Sequence, residues 1–272
     1  MQIVLQVLLT TVVVFSDGQS SAPTIDTNYQ AGLSAYQEAK FDVAKEQLST
    51  AWAREPQNPL INYNLGLAEF KLGNKGRALA FLRKAQESDP FFSEAQSAEK
   101  FVVAQLKVKA LPHRITTWEA YRNTILRDLK LSHALGCTAL LLLLFGIVGL
   151  KYWGQRRSAE IEAQQDSVAK LTTSPLSVIM LAILFFGSAV TTILKTWDQR
   201  TERATIIIEK VEARSGPSED QAPLFDLFEG LEVVVRQSFE DSQAKKWNQI
   251  TYPGGMTGWI PSDSLISHSS KE

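Results

Sequence analysis

The sequence predicts a multidomain chain: an all-α helical-repeat domain, two transmembrane helices and a C-terminal all-β small barrel. Three observations carry that prediction. N-terminal positions recur at a fixed offset of 34 residues, two long central runs lack charge, and the C-terminal part breaks into short β-branched runs between turn residues. The chain has 272 residues, with 28 Lys and Arg against 29 Asp and Glu and a formal charge of −1. That balance supplies no basic stripe, so no nucleic-acid partner is expected. The one cysteine, Cys137, excludes an internal disulfide framework and a Cys-based zinc site. The 3 histidines, at 113, 133 and 268, are too scattered for a catalytic metal centre, and no metal or cofactor is expected.

In chain order, residues 1–22 (MQIVLQVLLTTVVVFSDGQSSA) are uncharged up to Asp17 and end in small residues. They read as a secretory signal peptide cleaved between Ser16 and Pro23, although its n-region has no charge beyond the amino terminus. The alternative is a short uncleaved anchor.

Residues 24–112 form the repeat domain. Gly32 recurs as Gly66, Ala44 as Ala78, Ala51 as Ala85 and Pro56 as Pro90; Tyr29, Leu33 and Tyr36 recur as Tyr63, Leu67 and Phe70. The glycines and alanines let the two helices of each unit approach, and the prolines end the unit. The pattern resembles the tetratricopeptide repeat (TPR) family, two antiparallel helices per unit. A third repeat fails because the position after Gly32 and Gly66 is Lys100, so the helix read from Phe91 to Lys109 caps the array. In that family the first helix of each repeat builds the concave face. Here it carries Tyr29, Leu33, Tyr36, Tyr63, Leu67 and Phe70, with each triplet spaced to lie on one helical face. One reading is an apolar, aromatic groove for a partner's peptide or helix. The other is that part of this face is core beneath the cap.

Residues 113–130 contain TTWEAYRNTILRDLK, which sets Trp118, Tyr121, Ile125 and Leu129 on one face, with Arg122, Arg127 and Lys130 largely off it. This juxtamembrane stretch is either an amphipathic helix lying among headgroups or one running straight into the membrane. Residues 131–150 and 171–194 carry no Asp, Glu, Lys or Arg. Each is long enough as a helix for a hydrocarbon core of roughly 30 Å. Tyr152, Trp153 and Trp197 sit where interfacial aromatics belong. The expected spans are 131–153 and 171–195, so the lipid bilayer is one partner. The polar link 154–170 cannot form a core. His133 and Cys137, four apart in the first span, are expected to serve helix packing. Lys151, Arg156 and Arg157 in the link favour a cytoplasmic link, but Arg122, Arg127, Lys130, Lys195, Arg200 and Arg203 flank the other ends. Orientation therefore rests on the signal peptide, which places both larger domains outside the cytoplasm.

Residues 204–268 hold TIIIEKVEA, LEVVVRQSF and KWNQITY, with Ser215–Ser218 and Pro253–Gly255 as turns. This suits a compact barrel of about five or six strands, with Trp247 and Trp259 supplying much of a small core. The stretch Gly254–Gly258 lacks the Lys-Ser/Thr pair and helix of a phosphate loop and reads as a turn. The phrases VEARSGPS, LFEGLEVVV, KWNQI and GWIPSDSL are similar to bacterial SH3-type (SH3b) domains.

The order of signal peptide, short TPR array, two spans and SH3b domain resembles the BatE-type proteins of bacterial aerotolerance operons. That resemblance implies a subunit or scaffold of an envelope complex containing von Willebrand A-domain proteins and a MoxR-type AAA+ ATPase, linked to stress tolerance. The leading expectation is a non-enzymatic scaffold acting through the TPR groove. The alternative is an envelope sensor or anchor whose SH3b domain binds peptidoglycan. No HExxH, GxSxG, phosphate loop or extramembrane Cys–His pair suggests an enzyme.

Overall fold

The computed structural model describes residues 27–106, 117–126, 129–163, 174–241 and 244–268. The signal peptide expected at 1–22 lies outside the described residues, as do the connections at 107–116 and 164–173.

Five helices open the described chain: α1 (Thr27–Gln37), α2 (Phe41–Arg54), α3 (Pro59–Lys71), α4 (Lys75–Ser88) and α5 (Ser93–Gln105). The bounds of α4 are those of α2 displaced by 34 residues, and those of α5 are α3 displaced by the same amount. Local chemistry sets these ends. Asn58 caps α3, its Oδ1 accepting from the Leu60 and Ile61 amides at 3.0 and 3.4 Å, with Pro59 in the first helical turn. Asn62 Nδ2 donates to the Pro56 carbonyl at 3.0 Å, and its counterpart one period on, Gln96 Nε2, donates to the Pro90 carbonyl at 2.7 Å. The period thus continues into α5, which takes the place of a third unit's first helix; among the described residues no second helix pairs with it. Lys100, exposed, stands where Gly32 and Gly66 are buried.

Small residues carry the close approaches. A Cβ on Gly32 would lie 2.7 Å from Leu48 Cγ, and one on Gly66 would lie 3.0 Å from Leu82 Cγ and 3.1 Å from the Ala78 carbonyl. Ala44, Ala51, Ala78 and Ala85 are fully buried.

A short helix, α6 (Thr117–Tyr121), runs into a π turn over Arg122–Leu126. Of the expected apolar face, Trp118 and Ile125 are exposed, whereas the neighbouring Leu126 is fully buried against protein. Two long helices follow, α7 (Leu131–Ala163) and α8 (Pro175–Arg200). Both are long and apolar enough to cross a membrane. Ser174 caps α8 and Pro175 opens it. Helix α7 continues through the first part of the expected link, whose Gln, Arg and Ala residues are good helix formers. The two helices pack antiparallel. Thr138 Oγ1 meets Ser188 Oγ at 2.7 Å and Thr192 Oγ1 at 2.9 Å, and the Phe145 and Phe185 rings stack at 6.1 Å. The polar helix contact is therefore Thr138; Cys137 is exposed, and His133 lies instead against Phe91.

Seven antiparallel strands complete the fold: β1 (Arg203–Ile206), β2 (Lys210–Arg214), β3 (Pro223–Phe228), β4 (Glu232–Glu240), β5 (Lys246–Tyr252), β6 (Met256–Pro261) and β7 (Leu265–Ser267). Their order is β3-β2-β6-β5-β4-β1-β7. The sheet does not close, in contrast to the barrel expected from the sequence: β3 and β7 remain its two edges, and α4 lies against β1 and β7. The run TIIIEKVEA is two strands, β1 and β2, broken at Ile207–Glu209. Gly254 and Gly255, at φ of 93° and 89°, form the β5–β6 turn. The core is aliphatic, built on Ile206, Leu227, Val233, Ile250 and Ile260. Trp247 stands opposite Phe239 and Pro261 on the other face, only 1 % exposed, and half-buried Trp259 lies 6.3 Å from Phe239.

Gly32→Val forces a branched side chain into Leu48 and should lower the stability of the helical unit by about 2 kcal/mol. Thermal unfolding in detergent, followed at the helical circular-dichroism band, measures this; an unchanged midpoint would mean that the α1–α2 contact is looser than the structure has it.

Candidate functional site

Two places gather functional side chains. The first is the face of α1 and α3. Tyr29, Leu33, Tyr36, Tyr63, Leu67 and Phe70 are all half-buried. The Tyr29 hydroxyl accepts from Asn64 Nδ2 at 3.0 Å, which ties α1 to α3. Tyr36 packs edge-on against Phe41 at 5.3 Å. The second triplet is engaged by α5 and its approach: Tyr63 lies 5.0 Å from Phe92, and Phe70 lies 5.5 Å from Phe101. The triplet of the first repeat has no α5 ring over it among these contacts.

The second place is a junction where α4, the π turn, α8 and the sheet converge on a cavity of about 70 Å³. It has room for several waters at roughly 10–15 Å³ each. Its walls include Arg83, Glu87, Arg122, Asp198, Glu232 and His268. Asp198, near the end of α8, accepts from Arg122 Nε at 3.0 Å and from Arg203 Nη2 at 2.8 Å. Glu232, at the start of β4, pairs with the same two arginines, each at 3.4 Å. Two carboxylates and two guanidiniums therefore close an alternating ring. Beside it, Lys195 Nζ donates to the Leu126 carbonyl at 2.7 Å, satisfying a terminal acceptor of the π turn.

Helix α4 is docked on the sheet by residues that break the repeat period. Arg83 donates to Glu99 at 3.0 Å, to Thr205 Oγ1 at 2.9 Å and to the Gly230 carbonyl at 3.0 Å. One period earlier its position is Ser49. In the first turn of α4 the Gly76 amide donates to the Glu229 carboxylate, a charge favoured at a helix N-terminus. A Cβ on Gly76 would lie 2.6 Å from Glu229 Cγ and 2.9 Å from Ile207 Cα, so this approach requires glycine.

The electrostatics follow from burial and charge order. Burial opposes ionisation of Glu232, but Arg83, Arg122 and Arg203 outweigh it and hold its carboxyl at about 2. Burial, with those same arginines against Glu232, lowers His268 to about 3. His268 is thus neutral at physiological pH; its Nε2 lies 2.7 Å from Thr205 Oγ1, and its 3.9 Å approach to Glu87 is not an ion pair. Burial and the neighbouring Glu232 raise the Glu87 carboxyl. Every charge in the ring is balanced by another protein charge, which suits mechanical fixation. Among the described residues no cluster of His, Cys, Asp or Glu could hold a metal ion.

Residues 29–91 match a tetratricopeptide repeat family model. The helical unit therefore carries TPR repeats, which are protein-interaction modules that present concave surfaces. No curated protein matches the chain. The TPR face was visible in the 34-residue period, whereas the junction was not. Arg122, Lys195 and Arg203 read as charges flanking spans, and His268 as an isolated histidine. The available signals were the departures from the period at Gly76 and Arg83.

Asp198→Asn leaves Arg122 and Arg203 with Glu232 alone and should cost about 3 kcal/mol, as breaking a buried pair does. Lys210→Gln, which breaks the exposed Lys210–Asp226 pair, should shift the unfolding midpoint far less. Equal shifts in unfolding midpoint for the two variants would contradict the ring's role. Acidification should also destabilise the junction. The unfolded chain takes up a proton at His268 near pH 6.5 while the folded chain resists until about 3, so stability falls through that window. Glu232 adds a further loss below about 4.5, whereas the raised Glu87 carboxyl opposes the loss above that pH, up to its own raised value. His268→Gln should flatten stability between pH 6.5 and 4.5 while keeping the steeper loss below, read by thermal unfolding across pH.

Proposed function

We propose that this protein is a non-enzymatic, membrane-anchored scaffold that holds a partner's apolar segment in its TPR groove, within an envelope complex of the aerotolerance or stress type. The observation that carries the reading is the joining of a TPR unit to two membrane-length helices at one end of their hairpin. The first-repeat side chains Tyr29, Leu33 and Tyr36 are the groove's accessible part; Tyr63, Leu67 and Phe70 extend it towards α5. Residues 1–22 act as the signal peptide, and the TPR unit and sheet stand on the extracytoplasmic face of a bacterial inner membrane. The sheet serves as an SH3b-type module. By resemblance to the BatE-type architecture, the partners are von Willebrand A-domain membrane proteins and a MoxR-type AAA+ ATPase acting through them.

A second reading is favoured by the outer face of β4, β5 and β6. There Phe239 is exposed beside Trp259, and Lys245 lies 5.3 Å from the Trp247 ring. Such an aromatic patch suits a wall peptide, and the protein would then anchor or sense peptidoglycan.

In cells carrying the tagged full chain, cross-linking and membrane solubilisation should enrich von Willebrand A-domain proteins. Leu33→Asp should abolish that enrichment while leaving helical content and membrane insertion intact. Retention of these partners by the variant would remove the groove from the proposal. Recovery of wall fragments alone, from both proteins, would transfer the function to the sheet.

A further inference from the structure

The repeat unit and α6 reach the two long helices at the height where the apolar surface of those helices begins. Phe91, in the turn between α4 and α5, is 58 % exposed, and its ring lies 5.9 Å from His133 in the first turn of α7. Lys130 sits over the same ring at 5.2 Å and pairs with Asp89 at 2.7 Å, so the residue that ends the charged approach to α7 is held by the repeat unit. On the other side of the hairpin the Tyr121 hydroxyl lies 3.2 Å from Thr191 Oγ1. Thr191 is about one turn, roughly 6 Å, inside the apolar run from Lys195. The Tyr121 side chain therefore reaches past Lys195, the first charge of α8, to its apolar run.

The buried side of this segment is occupied by protein: Leu126 is fully buried, and its carbonyl accepts from Lys195. The large side chains described on its outward side are apolar, with the smaller Ala120 and Thr124 also exposed. Trp118 is 38 % and Ile125 45 % exposed. Leu135, Ile193 and Trp197, near the same ends of α7 and α8, are exposed apolar side chains as well. A water-facing edge would not favour three large apolar side chains at this height, whereas an interfacial belt accommodates them. We propose that the α4–α5 turn and α6 form a foot set into the headgroup–acyl boundary of the bilayer, with Phe91, Trp118 and Ile125 in contact with lipid.

This inference rests on α7 and α8 being membrane spans. The foot gives the TPR unit a bilayer contact besides its covalent tether. The α4–α5 end of the array then rests on the membrane, and the first repeat is the end left for a partner.

Nitroxide labels test this in the full chain carrying Cys137→Ala, reconstituted in vesicles of phosphatidylethanolamine and phosphatidylglycerol. The labelled positions are Phe91→Cys, Ile125→Cys, Leu144→Cys within α7 and Val43→Cys on an exposed face of α2. Labels at 91 and 125 should collide more with oxygen than with a water-soluble nickel chelate, as at 144, with the order reversed at 43. If 91 or 125 follows 43 while 144 stays lipid-like, the foot is wrong and the spans stand. If 144 is itself open to the chelate, the span reading fails and the foot with it.

Discussion

The ring of Arg122, Asp198, Arg203 and Glu232 is the constraint on which the arrangement of the parts depends. Each member comes from a different element: the π turn, the end of α8, the start of β1 and the start of β4. Only Thr201 and Glu202 separate α8 from β1, too little chain to fix an angle unaided but enough to let Asp198 and Arg203 meet. Arg122 brings in the segment that precedes α7. The ring thus links what enters the hairpin with what leaves it. Low exposure strengthens each attraction, and the alternation of sign spares every member an unpaired charge, the condition under which a buried ion cluster is tolerated.

The docking of α4 on the sheet extends that logic to the TPR unit. A repeat array buries each unit only against its neighbours, and an array of two units and one helix is near the lower limit for a stable stack. Here the second helix of the second repeat has an additional surface. Arg83 reaches β1 and the β3–β4 turn, Glu229 sits on the first turn of α4, and Gly76 removes the side chain that would hold them apart. The sheet thus gives the second helix of the second repeat a neighbour outside the repeat array. The same contact accounts for the open sheet, because α4 lies against the β1 and β7 strands at one edge.

What the sequence made legible is what repeats or is local. The 34-residue offset located the four helices of two repeats through glycine, alanine and proline, the residues whose steric demands are least replaceable, and the capping helix followed from its own pattern. Absence of charge located α7 and α8, and KWNQITY is β5 residue for residue. What it hid depends on residues far apart in the chain. Arg83 and Thr205 are 122 positions apart, and no local pattern joins them. Of the two tryptophans expected in the core, Trp247 is fully buried and Trp259 half-buried; strand parity turns Ile250 and Tyr252 towards the aliphatic cluster and Trp247 to the opposite face.

The groove and the junction lie on opposite helices of the same repeat, which bears on how binding would be felt elsewhere. Tyr63 and Phe70 belong to α3, whereas Arg83, Gln86 and Glu87 belong to α4, and these two helices pack closely through Gly66 and Leu82. A ligand that spreads α3 from α5 has to disturb the Tyr63–Phe92 and Phe70–Phe101 contacts, and α5 also carries Glu99, the carboxylate that orients Arg83. Glu99 is nearly buried and also accepts from Gln86, so displacing it would leave a guanidinium and an amide to find other acceptors in a small cavity. Occupancy at the second triplet is thus opposed by the junction, whereas occupancy at Tyr29, Leu33 and Tyr36 requires no such rearrangement. On the proposed scaffold reading, the packing would direct a partner to the first repeat.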